Sequence, residues 1–382
     1  MKSIHISEFL QSRIEAGDFP SASYLVAEKG KIVLQDAIGL AVVEPERIEA
    51  KIDTIYDLAS LTKVLVTGLL CAKLIESGEI DLEEIIEVYL TEFQNHPESL
   101  KDMKWDTLIY ELLTHISCFP SWKPFYLMSN DRLEGVENRN KVLELIIRTP
   151  LKTEHKVLYS DLNFLILTFL VERIYGKRID EVAREEIFEP LKLQNTFYNP
   201  PNELRKKIAA SEKGNEFEKQ TCIEQDFDVS KYPWRDYQIW GEVHDGNCFY
   251  MSGVSGHAGL FSTAEEVFKI AQQFLPNQSQ TLKPETCELF QTNFTPNLNE
   301  ARSIAFQLAE TKDSSAGLAL SKHSFGHLGF TGTSLWIEPE TERIFILLTN
   351  RTHAHELPFV ILNSVRRKFH ELATDILGSK QA

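Results

Sequence analysis

Cysteine is scarce in this chain, and the five present (Cys71, Cys118, Cys222, Cys248 and Cys287) are scattered with no CxxC pair. An odd, dispersed set argues against a disulfide framework and points to a reducing compartment, hence a cytoplasmic location. An exported protein with its signal removed is the alternative. Basic charge is in the minority: 40 lysines and arginines against 56 aspartates and glutamates leave a net charge of −16. Such a chain repels a phosphate backbone, so nucleic acid is not expected as a partner. The short basic runs Arg205-Lys206-Lys207 and Arg366-Arg367-Lys368 read as solvated helix faces. Long apolar runs are missing as well. The opening MKSIHISEFLQSRIEAG is a short amphipathic helix without the apolar core of a signal peptide or a membrane span.

Metal and nucleotide signatures are also lacking. His244-Asp245 with His257, and His353 with His355, have irregular spacing and no HExxH beside them, so they read as loop histidines. Gly253, Gly256 and Gly259 follow no clear strand, which argues against a dinucleotide site. GVSGH misses the GxSxG nucleophile elbow because His257 stands at the last glycine position. No metal and no cofactor is expected, and a small molecule or peptide is the expected substrate. Nothing in the sequence speaks to oligomeric state.

What is present is a globular composition, 43% hydrophobic and 25% charged over 382 residues. Two strand-like runs flank Lys29-Gly30, a hairpin signal. From Leu61 to Ile75 apolar residues occupy nearly every helical face, which marks a buried helix ended by Ser77-Gly78. Residues from about 80 to 225 are mostly helical in period. TAEEVFKIAQQFL is a helix opened by Ser262 with Glu265 three residues on, a capping box. TSLWIEPE and RIFILLTN are strands joined at Pro339–Glu342, and a last helix is expected over roughly 356–377. Strands at both ends and helices between predict one domain over 1–382 of α/β (α+β) class. Its antiparallel sheet, flanked by helices, is built from both termini (1–70 with 230–382), and a mainly helical lobe (71–229) is inserted.

The chemistry concentrates in three places. In DLASLTKVLV, Ser60 and Lys63 lie three apart, on one face of a helix start. Alone this reads as an N-cap serine with a surface lysine nearby. The surrounding helix offers Lys63 no wet face, however, and burial lowers an ammonium's pKa toward that of a base. Ser60 would stand at the positive end of the helix dipole, where its N–H can stabilise an oxyanion. In VLYSDLNFLIL, Tyr159 and Ser160 precede an apolar helix with Asp161 in its first turn, again a capping pattern when taken alone. In FGHLGFTGTSLWIEPE a glycine-rich run enters a strand. Arg351, just after the last strand, would hold either a salt bridge or an anionic substrate group.

Taken together, SLTK, YSD (Tyr159-Ser160-Asp161) and His327-Leu328-Gly329 resemble the SxxK, YxN and KTG elements of the serine β-lactamase and penicillin-binding-protein superfamily, with HxG replacing KTG. ELLTHISCFP is similar to that superfamily's LLTHTSGLP, with Cys118 replacing a glycine, and SGHAGLFSTAEEV to its glycine-rich loop. The likeness runs from about residue 20 to 352. It implies a serine hydrolase working through an acyl-enzyme on an ester or amide. Ser60 would be the nucleophile, Lys63 and Tyr159 would share its proton, and His327 would assist. The N–H groups of Ser60 and Phe330 would form the oxyanion hole, and Asp161, Leu328, Gly329 and Arg351 would face the substrate. Leu328 removes a hydroxyl and Asp161 adds a charge, which disfavours a β-lactam or free carboxylate. GEVHD with GHAGLFST resembles a subgroup linked to peptidoglycan carboxypeptidase or muropeptide amidase activity. β-Lactamase activity, or an inactive scaffold of the same fold, are the rival readings.

Overall fold

The computed structural model describes residues 4–95, 106–129 and 136–378. Its strands are β1 (Ser21–Glu28), β2 (Lys31–Val42), β3 (Ile48–Glu49), β4 (Tyr56–Asp57), β5 (Phe197–Tyr198), β6 (Leu260–Ser262), β7 (Gln307–Leu308), β8 (Phe325–Leu328), β9 (Ser334–Glu338) and β10 (Arg343–Thr349). Seven form one antiparallel sheet in the order β3-β2-β1-β10-β9-β8-β7, and β4-β6-β5 form a small second sheet. The expected hairpin is present: Lys29 and Gly30 join β1 to β2 with φ of 49° and 75°. That left-handed pair matches the twist of the strands it connects. β1 pairs with β10, so the two ends of the chain meet in the middle of the large sheet.

Alternation places the core on both faces of that sheet. Leu25, Ala27, Leu335, Ile337, Ile344, Ile346 and Leu348 point into the large core shared with the helical body. Tyr24, Val26, Trp336, Phe345 and Leu347 point the other way, onto Ile6 and Leu10 of the first helix and Val365, Phe369 and Ala373 of the last. A one-residue slip in register would exchange the two sets, so burial on both sides locks the pairing. The side chain of Ile4 in the first helix lies outside the described residues.

The apolar run after Ser60 is buried as expected, with a π-helical turn over Lys63–Gly68, an α-helix over Leu69–Ser77 and a left-handed stop at Gly78. Two boundaries differ from the sequence reading. Strand pairing to Tyr56 keeps Ser262 extended, so Thr263 takes the N-cap and its hydroxyl accepts the Glu266 N–H at 3.3 Å. The last helix starts at Asn363 rather than near 356, because Pro358 disfavours helical backbone at the residue before it. Among the described residues no helix is long and apolar enough to cross a membrane.

Candidate active site

The site begins where β4 meets the buried helix. Ala59 has a φ of +47°, an uncommon conformation for a residue with a side chain. Asp57 holds it: one carboxylate oxygen accepts the Ala59 N–H and the other accepts the His244 N–H, each at 2.8 Å. From the opposite side the Thr331 hydroxyl donates to the Asp57 carbonyl (2.7 Å) and the Thr333 hydroxyl to the Leu58 carbonyl (3.0 Å). These bonds clamp the end of β8 against the turn that carries Ser60. A methyl group on Gly329 would lie 2.0 Å from Thr333 Oγ1 and 2.5 Å from the Leu58 carbonyl, so only glycine allows this approach. The N–H groups of Ser60 and Phe330 have no acceptor among the described residues. Both residues line one cleft of about 570 Å³.

Lys63 is fully buried. Its Nζ donates to Ser60 Oγ at 3.0 Å and to the His257 carbonyl at 2.8 Å, and stands 2.7 Å from Asp161 Oδ1. Here the structure departs from the sequence reading. Burial does press the ammonium toward neutrality, but the Asp161 carboxylate, then Tyr159, outweigh it and hold the pKa above its ordinary value. Lys63 therefore rests as a cation.

Tyr159 and His327 stand beside this pair, ring centroids 5.7 Å apart. The Tyr159 hydroxyl is buried without a hydrogen bond of normal geometry. Burial raises its pKa, opposed by the Lys63 ammonium, which lies 5.3 Å from the ring centroid. Arg302 covers the same ring at 5.6 Å. His115 packs on it at 4.6 Å, and its Nδ1 accepts the Ser160 N–H. His327 Nδ1 lies 2.9 Å from the Leu328 carbonyl, which makes Nδ1 the protonated nitrogen and leaves Nε2, buried and unpartnered, as an acceptor. Burial, then Lys63 and Arg302, hold the His327 pKa well below its ordinary value, so the ring is neutral.

The cleft is lined by groups of both charges. Glu218 accepts the Gly246 N–H and the Tyr126 hydroxyl. Its pKa is pushed up to about 7 by burial and by Asp245. Asp245 pairs with His257 at 2.9 Å and His244 with Glu212 at 2.7 Å. Leu328, Arg351, Asn363 and Arg366 also line the cleft. Arg351 forms no salt bridge among the described residues; it donates to the Phe330 and Val360 carbonyls. Arg366 is not on a solvated face. It is 4% exposed, donates to Asn363 and the Thr333 carbonyl, and keeps Nε without a partner. Burial, and then Arg351, lower its pKa to about 9, the mark of a cation held without a counter-ion.

Of the residues that the resemblance assigns to the site, Ser60, Tyr159, Asp161, His327, Leu328, Gly329, Phe330 and Arg351 line this cleft, and Lys63 contacts Ser60 Oγ from beneath. His115, Asn363, Arg366 and Glu218 were missed. Arg366 had a signal: it precedes Phe369 by three residues and Ala373 by seven, on the buried phase of the last helix. Two of the histidines read as loop residues make structural contacts: His353 accepts the Val43 N–H, and His257 bridges Ser255 and Asp245. Among the described residues no group of three or more His, Cys, Asp or Glu side chains is placed to hold a metal ion.

The family model named Beta-lactamase matches residues 6–361. The N-acetylmuramyl-L-alanine amidase of Bacillus subtilis (strain 168) is 30% identical over 367 residues, spanning 91% of this chain and 80% of the relative. A putative D-alanyl-D-alanine carboxypeptidase of Escherichia coli O157:H7 is 30% identical over 369 residues, 91% of this chain and 82% of that one. A class C beta-lactamase from Rhodobacter sphaeroides superposes with a TM-score of 0.68 at 16% identity, covering 97% of this chain and 99% of its own, and shares the fold.

Proposed function

This chain belongs to the beta-lactamase family and is a serine hydrolase of that superfamily; from that premise we propose that Ser60 attacks an amide carbonyl of a peptidoglycan-derived peptide and forms an acyl-enzyme. The observation that carries the reading is the 3.0 Å contact between Lys63 Nζ and Ser60 Oγ at the floor of the cleft. The free N–H groups of Ser60 and Phe330 are the donors for the developing oxyanion. The Tyr159 hydroxyl protonates the leaving nitrogen, and the bare Nε2 of His327 takes a proton from the water that later releases the acyl group.

Two features favour a substrate that ends in a carboxylate. One relative's name describes a D-alanyl-D-alanine carboxypeptidase, an activity on peptides with a free carboxyl end. Arg351, Arg366 and Asn363 supply cationic and amide donors on the wall beside Gly329, and Arg366 has donor capacity to spare. They replace the hydroxyl that Leu328 removes from the strand, so that loss does not exclude a free carboxylate. Cys71, Cys222, Cys248 and Cys287 are free thiols, which supports a reducing, cytoplasmic setting and a role in recycling imported fragments.

The test is a panel of a D-aminoacyl peptide, a muropeptide, an aryl ester and nitrocefin on the wild type and on Ser60→Ala, with intact-mass detection of the acyl-enzyme. The expected result is a covalent adduct on the wild type with the peptides, and none on Ser60→Ala. A label that survives the substitution removes Ser60 from the reading, and nitrocefin turnover exceeding the peptides would favour a β-lactamase. No burst and no label with any serine-directed probe would leave a scaffold.

A further inference from the structure

We propose that Asp161 is the terminal proton acceptor when Ser60 attacks, reached through Lys63, so that serine, ammonium and carboxylate form one relay. The inference rests on the reading of Ser60 as the nucleophile. Lys63 Nζ donates to Ser60 Oγ at 3.0 Å and to the His257 carbonyl at 2.8 Å, and its third close neighbour is Asp161 Oδ1, an ion-pair contact at 2.7 Å whose oxygen accepts no hydrogen bond of normal geometry and so has capacity for a proton. Charged and sealed from water, the ammonium has no lone pair with which to take the serine proton. A proton can enter from Ser60 only as another leaves. The His257 carbonyl accepts hydrogen bonds but is too weak a base to be protonated, whereas Asp161 is a carboxylate. Its position is set by the backbone: the Asp161 N–H donates to the Ser121 carbonyl at 2.9 Å and the residue opens the helix Asp161–Tyr175.

The step balances. The Ser60 O–H bond breaks as its oxygen bonds the carbonyl carbon, and the proton passes to Lys63. Lys63 gives a different proton to Asp161 and ends as the ammonium it was. The negative charge moves from the carboxylate to the tetrahedral oxygen at the Ser60 and Phe330 amides. When the intermediate collapses, the C–N bond breaks, and the Tyr159 hydroxyl protonates the amine and is itself refilled from Asp161 by way of Lys63. An asparagine at 161 would hold Lys63 in the same place but would accept no proton. The titratable and charged groups facing this relay are Tyr159, His115, His327, Arg302 and Asp245.

The experiment compares Asp161→Asn and Asp161→Glu with the wild type. The acylation rate is taken from the p-nitrophenol burst of an aryl ester, with melting curves for each protein. A relay predicts that the asparagine variant acylates about 100-fold more slowly or worse, and that the glutamate variant, which still accepts a proton, recovers most of the rate. An asparagine variant within a few-fold of wild type overturns the relay and leaves Asp161 as a support for Lys63. Should the asparagine variant fail to fold, the glutamate variant decides: recovery of most of the wild-type rate supports the relay, and a folded glutamate variant about 100-fold slower overturns it. Surviving label on Ser60→Ala would instead sink the nucleophile, so the two failures are distinguishable.

Discussion

Replacing Arg366 with methionine separates binding of substrate from stability, because the structure assigns the two effects opposite signs. Arg366 is buried, lines the cleft, and among the described residues meets no carboxylate and leaves Nε unpartnered. A carboxylate seated there gains charge-assisted hydrogen bonds of about 1.5–3 kcal/mol each when desolvated. Losing one such contact, with Arg351 still present, should cost the transition state about 2–3 kcal/mol, or about 30- to 150-fold in kcat/KM. Methionine conserves much of the apolar stem, and the Thr333 carbonyl keeps a donor in the Gly329 N–H at 2.8 Å. Removing a buried, uncompensated cation also relieves desolvation, so Tm should stay level or rise. The assay is kcat/KM for a peptide ending in a free carboxylate beside the same peptide amidated. The full loss is expected for the acid and little for the amide. Equal losses on both, or none on the acid, would refute the assignment of the arginine wall to the carboxylate.

Two further outcomes follow from buried contacts. Gly329→Ala forces a methyl against Thr333 Oγ1 and the Leu58 carbonyl at 2.0 and 2.5 Å; overpacking of about 1–3 kcal/mol and a displaced Ser60 turn should lower both Tm and kcat, and wild-type values for both would show that the clamp yields freely. Glu218 has its pKa raised by burial from 4.5 to about 7, so the folded state holds its proton more tightly than the unfolded chain. Stability is therefore lost as pH climbs from about 4.5 to 7, by about 3 kcal/mol at most. Glu218→Gln should gain on the wild type in urea unfolding between pH 5 and pH 8, and a gap that does not change with pH would rule out titration of this carboxyl.

Hairpin, buried helix and sheet class were readable because each rests on a local rule. Lys29-Gly30 supplies two left-handed residues between alternating strands, and Leu61–Ile75 has no polar face to expose. The serine, lysine, tyrosine and histidine were readable because three spaced elements occur in one order. Where the reading failed, long-range neighbours decided. Ser262 satisfies a capping pattern locally, but its pairing with Tyr56 holds it in a strand. Arg366 sits in a basic run that looks solvated, but the last helix turns that position onto the sheet and the cleft. The charge on Lys63 was misjudged for the same reason, since burial alone predicts a neutral amine.

The sequence by itself determined the family, the nucleophile candidate and the scaffold, through residue types at fixed spacing and the periods of burial. The tertiary structure alone decided the electrostatics: that Asp161, 98 residues from Lys63 in the chain, lies 2.7 Å from its ammonium and keeps it charged, and that Arg351 and Arg366 line one cleft, neither paired with a carboxylate among the described residues. Spacing along the chain fixes which face a side chain takes, but a charge is set by what lies within a few ångströms in any direction. Those neighbours come from parts of the chain brought together only by folding.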